Sequence, residues 1–264
     1  MALRWAQDSD GTDNGTPGVA RLRAVLDGLP YVIRPTVGVV IVARDAEHTI
    51  AHLFARLPRV DEVVLVDLGS TDETVRVARS LWTGLLVVDA GNSARGQALR
   101  AGSLATSADI VVLFDGDGAG DLAELPRFLQ ALLDGADVAK GTRFASGDAP
   151  ERDLGNGALL RLANAAFGTT YSDIGFGFYA FWRSALDRIV LDHDGVATDA
   201  LLALRAARAG LLIAEVSCGE SPRLEGHRRR RPVRDRVRLF RALLAEYASS
   251  ERRGLVDLDT VSVT

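Results

Sequence analysis

Residues Asp109 to Asp121 read DIVVLFDGDGAGD: an unbroken apolar run ends in Asp115, and Asp117 and Asp121 follow within the same seven positions. A run such as Ile110 to Phe114, with no polar residue on either alternate set of positions, suits a strand buried on both faces, as in a parallel sheet covered by helices. Carboxylates directly after such a strand stand where the ligand crevice of an open α/β sheet lies, at the carboxyl ends of the strands.

The pattern repeats on either side of this stretch. VGVVIVA (37–43), EVVLVD (62–67) and LLVVD (85–89) are further short β-branched runs, each followed by a segment with helical spacing. Helices are predicted over 46–57, 72–82, 95–106, 121–134, 156–167, 197–209 and 232–247. The succession is βαβ, which predicts an α/β fold with a mostly parallel central sheet flanked by helices. After about residue 136 the strands weaken and glycine becomes frequent, as in SDIGFGFYAF (172–181), so the second half reads as a smaller mixed sheet. Residues 1–33 are polar and Gly-rich and are read as a partly disordered extension, and 249–264 as a loose tail. There is no internal repeat.

Composition narrows the classes. With 264 residues and 47% hydrophobic content the chain can bury one substantial core. No stretch reaches the roughly 18–20 apolar residues of a membrane span, and the first fifteen residues lack an apolar signal region, so a soluble, cytoplasmic protein is expected. A single cysteine, Cys218, excludes an intramolecular disulfide and a thiolate cluster. The net charge of −4 is uneven: nine arginines against Glu225 and Asp235 give 221–241 a balance of +7, leaving −11 for the rest. Phe240 is the one aromatic residue in that segment, and the remainder is acidic, which argues against nucleic acid. A phosphorylated or diphosphate ligand suits the segment better, with a solvated surface as the alternative, and the arginines of its helix are open to peripheral contact with an anionic membrane, to a carrier protein or to water.

The strand ends carry the chemistry. The first four runs close on Arg44-Asp45, Asp67, Asp89 and Asp115, and the first βα turn, ARDAEHTI, has no G-x-G-x-x-G, so a dinucleotide-binding reading fails. In an extended segment Asp115 and Asp117 point to one side and can share a hard divalent cation, with Gly116 between them keeping the approach open. Spacing alone is weak evidence, because D-x-D recurs at Asp8/Asp10, Asp192/Asp194 and Asp257/Asp259. Position after a buried strand singles out Asp115/Asp117.

The ordered succession VVIVARDAEHTI, VVLVDLGSTDETVRVA, ARGQALRAG, VVLFDGDGAGD, KGTRF, GNGALLRLANAAFGTTYSDIGFGFYAFWRSAL and AEVSCGESPRLEG resembles family 2 glycosyltransferases of the GT-A fold, and among them the polyprenyl-phosphate sugar synthases of the dolichyl-phosphate mannose synthase type. The resemblance spans roughly 36–247 and implies one GT-A domain with an acceptor-side mixed sheet. It implies a nucleoside diphosphate sugar donor, with UDP favoured over GDP, and Mg2+ or Mn2+ as cofactor. On the donor side it places Ala43, Asp45, Asp67, Arg95, Asp115, Gly116 and Arg143, together with Arg223 and Arg229 of a phosphate-closing loop. Asp115 and Asp117 match its metal pair, and His227 is a candidate third ligand. Asp173 lies on the acceptor side and is the first candidate base, with Asp199 second. For Arg95 a solvated helix-start arginine is the alternative, for Arg143 a salt bridge, for Asp173 a turn cap, and Asp72 is read as an N-cap.

The chain also departs from the family. Val42 and Asp45-Ala46 stand where a Pro and an Asn-Glu pair are usual, Asp67-Leu68 replaces two successive aspartates, Tyr179 replaces the Arg of G-F-R, and Ser217 replaces a Pro. The expectation is therefore a metal-dependent, inverting glycosyltransferase acting on a polyprenyl phosphate or on a soluble small molecule. The soluble alternative is a natural-product hydroxyl or amine acceptor, free or tethered to a carrier protein. A non-catalytic relative that binds nucleotide sugar is the remaining alternative.

Overall fold

A computed structural model describes residues 34–117, 120–143, 154–193, 197–218 and 232–259. The chain divides after Thr36, and the unit that begins at Val37 carries the fold. Its strands are β1 (Val37–Ala43), β2 (Glu62–Asp67), β3 (Leu86–Asp89), β4 (Ile110–Asp115), β5 (Val138–Thr142), β6 (Phe178–Trp182) and β7 (Ile213–Ser217). Its helices are α1 (Glu47–Arg56), α2 (Thr74–Leu81), α3 (Arg95–Ala105), α4 (Leu125–Leu133), α5 (Leu154–Phe167), the single turn α6 (Arg183–Leu186), α7 (Thr198–Arg208) and α8 (Pro232–Asp259).

Among the described residues the strands form one sheet in the order β3-β2-β1-β4-β6-β5-β7. β1, β2, β3 and β4 run parallel, as do β5 and β7, whereas β6 is antiparallel to both of its neighbours. The weaker strands of the second half thus extend the same sheet, and its mixed character enters through β6. All seven residues of β1 are buried, as expected for a strand covered on both faces. One core layer gathers Val40, Val42, Leu113, Phe181 and Leu201, and the other gathers Ile41, Leu65, Phe114, Phe128 and Phe178.

The predicted helices are present with ends moved by one or two residues, except that 121–134 opens as a short helical turn, Leu122–Glu124, before α4 starts at Leu125, and except at the end of the chain. There α8 continues to Asp259, through the first part of the stretch expected to be a loose tail. No described helix is long and apolar enough to cross a membrane.

Topology gathers the functional end. β4 ends at Asp115, β5 ends at Thr142, and β6 begins at Phe178 paired with Phe114. Because β6 is antiparallel to both, the segment 172–177 that leads into it passes the carboxyl ends of β4 and β5.

Candidate active site

At the ends of β1 and β2, Ala43 pairs with Asp67 and Val42 with Asp115 in neighbouring strands. Asp45 has a φ of 48°, a left-handed conformation that Asp tolerates better than most side chains. Its carboxylate accepts hydrogen bonds from the Thr71 N–H at 2.8 Å and the Thr71 hydroxyl at 3.2 Å, and its own N–H donates to Ser70 Oγ at 3.0 Å. The Ser70 hydroxyl and N–H in turn donate to buried Asp67. Asp67 thereby fixes the turn that follows its own strand. The N-cap of α2 is Glu73 and not Asp72; Asp72, one position earlier, accepts from the Thr74 N–H at the start of α2 and from the Glu47 N–H at the start of α1, and so ties the two helix starts together. Burial pushes its carboxyl up, but these hydrogen bonds outweigh burial and hold it below its usual range.

Arg95 opens α3, yet it is not a solvated surface residue. Its side chain is 8% exposed, its Nη1 donates to Asp199 Oδ1 at 2.7 Å, and its Nη2 stands 3.5 Å from Asp115 Oδ2. Burial pulls its guanidinium down, but the two carboxylates overcome this and raise it, so the group stays charged. A Cβ at position 177 would lie 2.7 Å from Arg95 Nη2 and 3.4 Å from Asp199 Oδ1, so Gly177 is what lets the guanidinium through. Gly116 has a related role that differs from the expected one. A Cβ there would meet Val42 O and Ala43 Cβ, each at 2.9 Å, so this glycine lets the end of β4 close against β1.

Tyr179, which stands in the place of the expected Arg, is buried on β6 and donates its hydroxyl proton to the Asp199 carbonyl at 2.9 Å. It therefore pins the start of α7, where the second candidate base sits. Tyr179→Phe is expected to cost about 1–2 kcal/mol, read as a lowered denaturant midpoint, because the carbonyl loses its buried donor. An unchanged midpoint would show that the bond contributes nothing to holding α7.

At the end of β5, Arg143 and Asp173 meet in a two-pronged pair, Nε to Oδ2 at 2.7 Å and Nη2 to Oδ1 at 3.0 Å. Asp173 also accepts from the Gly175 N–H at 2.8 Å, so it caps a turn and binds an arginine at once. Burial pushes its carboxyl up, but Arg143 and the turn N–H outweigh that and hold it below the usual range. A carboxyl lowered on folding contributes stability that is complete above its unfolded value, near ~4, and is lost as the pH falls through the folded one. The same lowering makes Asp173 a weak base.

One buried cation went unread in the sequence. Lys140 on β5 is fully buried, 3.1 Å from Glu215 Oε1 on β7. Glu215 also accepts from the Ser172 N–H and hydroxyl, and Ser172 Oγ is 2.7 Å from Thr142 Oγ1. The pair thus ties the turn before Asp173 to two strands. A lysine inside a strand of otherwise uncharged residues, VAKGT, was the available signal, since a buried ammonium requires a carboxylate partner.

The three carboxylates after β4 have separated roles. Asp115 is the last residue of the strand, while Gly116 and Asp117 form a turn, so Asp115 and Asp117 are not alternate positions of one extended segment. Asp121 forms an ion pair with Arg56 and caps a short helical turn through the Ala123 N–H at 2.9 Å. Asp115 and half-buried Asp117 are the carboxylates left beside the crevice. Among the described residues no group of three or more His, Cys, Asp or Glu side chains is gathered as a metal cage. His227, Arg223 and Arg229 lie outside the described residues.

Antiparallel β6, set between β4 and β5, thus brings carboxylates and two arginines, Arg95 and Arg143, to one end of the sheet. The family model for glycosyl transferase family 2 matches residues 38–190, and the chain belongs to that family. It is 34% identical over 186 residues to a dolichyl-phosphate hexose transferase of Haloferax volcanii, covering 67% of this chain and 79% of that protein. It is 28% identical over 170 residues to an undecaprenyl-phosphate 4-deoxy-4-formamido-L-arabinose transferase of Aeromonas hydrophila, covering 62% of this chain and 51% of the relative. Apart from the hexose transferase, the chain spans about half the length of the curated relatives it matches. Among solved structures, glucosyl-3-phosphoglycerate synthase of Mycobacterium tuberculosis in complex with Mn2+ and UDP-glucose superposes with a TM-score of 0.64 at 25% identity, over 87% of this chain and 82% of that one. The same synthase with phosphoglyceric acid gives a TM-score of 0.62 at 25% identity, over 90% and 86%. The protein is a glycosyltransferase of the GT-A fold.

Proposed function

We propose that the protein transfers a sugar, with inversion, from a UDP-sugar to a polyprenyl phosphate. The observation that carries the acceptor class is the state of the two candidate bases: Asp173 is locked to Arg143 with its carboxyl lowered, and Asp199 is locked to Arg95. A hydroxyl or amine acceptor needs a group free to take its proton, whereas a phosphate monoester arrives ionised and needs positioning and charge neutralisation. The names of the polyprenyl-phosphate relatives support the same class, and the UDP-glucose complex of the structural neighbour supports the donor.

In this reading Ala43, Asp45, Asp67 and Gly116 shape the nucleotide end of the crevice, and Asp115 and Asp117 face the diphosphate. A small divalent cation, Mg2+ or Mn2+, fits a pair of carboxylates whose remaining coordination comes from substrate phosphate and water. Such a cation would neutralise charge on the departing diphosphate. Arg95 holds Asp115 and Asp199 in place from beneath. Arg143, whose side chain is 24% exposed, offers the acceptor phosphate what remains of its guanidinium edge, steadied by Asp173. A phosphate oxygen attacks the anomeric carbon, the carbon–oxygen bond to the diphosphate breaks, and the nucleoside diphosphate leaves with both electrons.

The test is transfer in detergent from UDP- and GDP-sugars to polyprenyl phosphate and, in parallel, to soluble hydroxyl acceptors. Labelled polyprenyl product, with a rate reduced far less than the roughly 10²-fold of a lost general base in Asp173→Asn, is expected. Product on hydroxyl acceptors and none on polyprenyl phosphate would overturn the acceptor class.

A further inference from the structure

α8 is attached by one face only. Leu243 and Glu246 are buried, Leu239 and Ala242 pack against the core, and Glu246 accepts from Arg205 at 2.7 Å and Arg208 at 3.2 Å on α7. These ion pairs fix the rotation of the helix and so decide what faces outward. The outward face is apolar along its middle: Val237 is 45% exposed, Phe240 39% and Leu244 50%, and Tyr247, 39% exposed at the edge of the face, sets its ring edge-on against Phe167 of α5. Their spacing of three, four and three places them on one stripe about 15 Å long.

Arginines line one edge of that stripe. Arg234, Arg238 and Arg241 are exposed on the same helix, and Asp235 is the one acidic residue between Pro232 and Ala245. In a chain of net charge −4 this concentration is local, so it favours a negative partner at this face against general repulsion. An apolar strip edged by arginines, with aromatic residues along one side, has the composition of a helix lying in the plane of a bilayer interface. There its apolar residues enter the headgroup boundary and its guanidinium groups meet anionic lipid.

We infer that the outward face of α8 is a docking surface for an anionic lipid bilayer. The inference rests on the helix surface and not on the acceptor assignment. It also has a structural route to the site: Glu246 stands 3.8 Å from His193 Nε2, and the His193 carbonyl accepts from the Gly96 N–H, next to Arg95.

The experiment is co-sedimentation of the full chain with vesicles of phosphatidylcholine alone and of phosphatidylcholine with phosphatidylglycerol, at low and high salt, with light scattering of the free protein. Binding should require phosphatidylglycerol and weaken with salt. The double variants Phe240→Asp/Leu244→Asp and Arg238→Glu/Arg241→Glu should each lower partitioning by at least about tenfold, with the thermal midpoint and transfer in detergent unchanged. The second variant acts by charge on exposed positions, so it decides the matter if the first fails to fold. No binding to anionic vesicles, equal binding by the charge variant, or a stripe found buried in a dimer of the free protein would overturn the inference. None of these results would touch transfer in detergent, so the two readings fail separately.

Discussion

Replacing Asp117 with alanine is expected to lower sugar transfer by about 10³-fold, the scale of losing one preorganised stabiliser of developing charge. Asp117 is half-buried in the turn after β4, outside the strand itself. The thermal midpoint should fall by no more than the about 1 kcal/mol equivalent typical of a point substitution, far less than the loss of transfer. Calorimetry should show UDP affinity falling in the presence of Mn2+ and no longer responding to the metal. Asp115→Ala should differ in kind, because Asp115 is also a partner of buried Arg95 and its removal should cost stability as well as rate. Unchanged activity in Asp117→Ala, or full activity of the native protein in chelator, would sink the metal assignment.

The second large effect belongs to Arg95. Arg95→Met is expected to destabilise the protein by about 3–5 kcal/mol, the usual consequence of removing one member of a buried charge pair, and to abolish measurable transfer. Its guanidinium is the cation on which Asp199 of α7 and Asp115 of β4 converge, and their side chains are only 14% and 28% exposed. Adding Asp199→Asn to Arg95→Met should return part of the stability, since one uncompensated carboxylate is gone, but none of the activity. Chemical denaturation of the two single variants and the double variant measures this coupling. If the effects of Arg95→Met and Asp199→Asn simply add, the pair does no joint structural work and Arg95 must act on the substrate directly.

The contrast between Asp117 and Arg95 shows what was legible in the sequence. The strands before residue 116 could be read almost to the residue because each is a continuous apolar run closed by a charged side chain, and the crevice followed from those closures. Arg95 could not be placed, since an arginine beginning a helix looks solvated until Asp199, distant in sequence, is brought over it by α7. The same holds for Lys140 and Glu215, which meet across β5 and β7. The position of β6 between β4 and β5 was equally hidden: its antiparallel insertion is set by long-range pairing, and SDIGFGFYAF by itself shows a turn and a strand without a neighbour. The sequence marks Arg143 and Asp173 separately, without showing that they are partners. Their pairing is what turns the acceptor question toward an already ionised group.

In the proposed mechanism sugar transfer occurs where β4 ends, with the donor diphosphate held through a divalent ion at Asp115 and Asp117. A crystal structure of the protein with UDP and Mn2+ measures this most directly. Mn2+ is expected within coordination distance of at least one of these two carboxylates and of the UDP diphosphate, with the uracil end lying toward Asp45 and Asp67. UDP bound elsewhere on the sheet, or Mn2+ held with neither Asp115 nor Asp117 within reach, would contradict it.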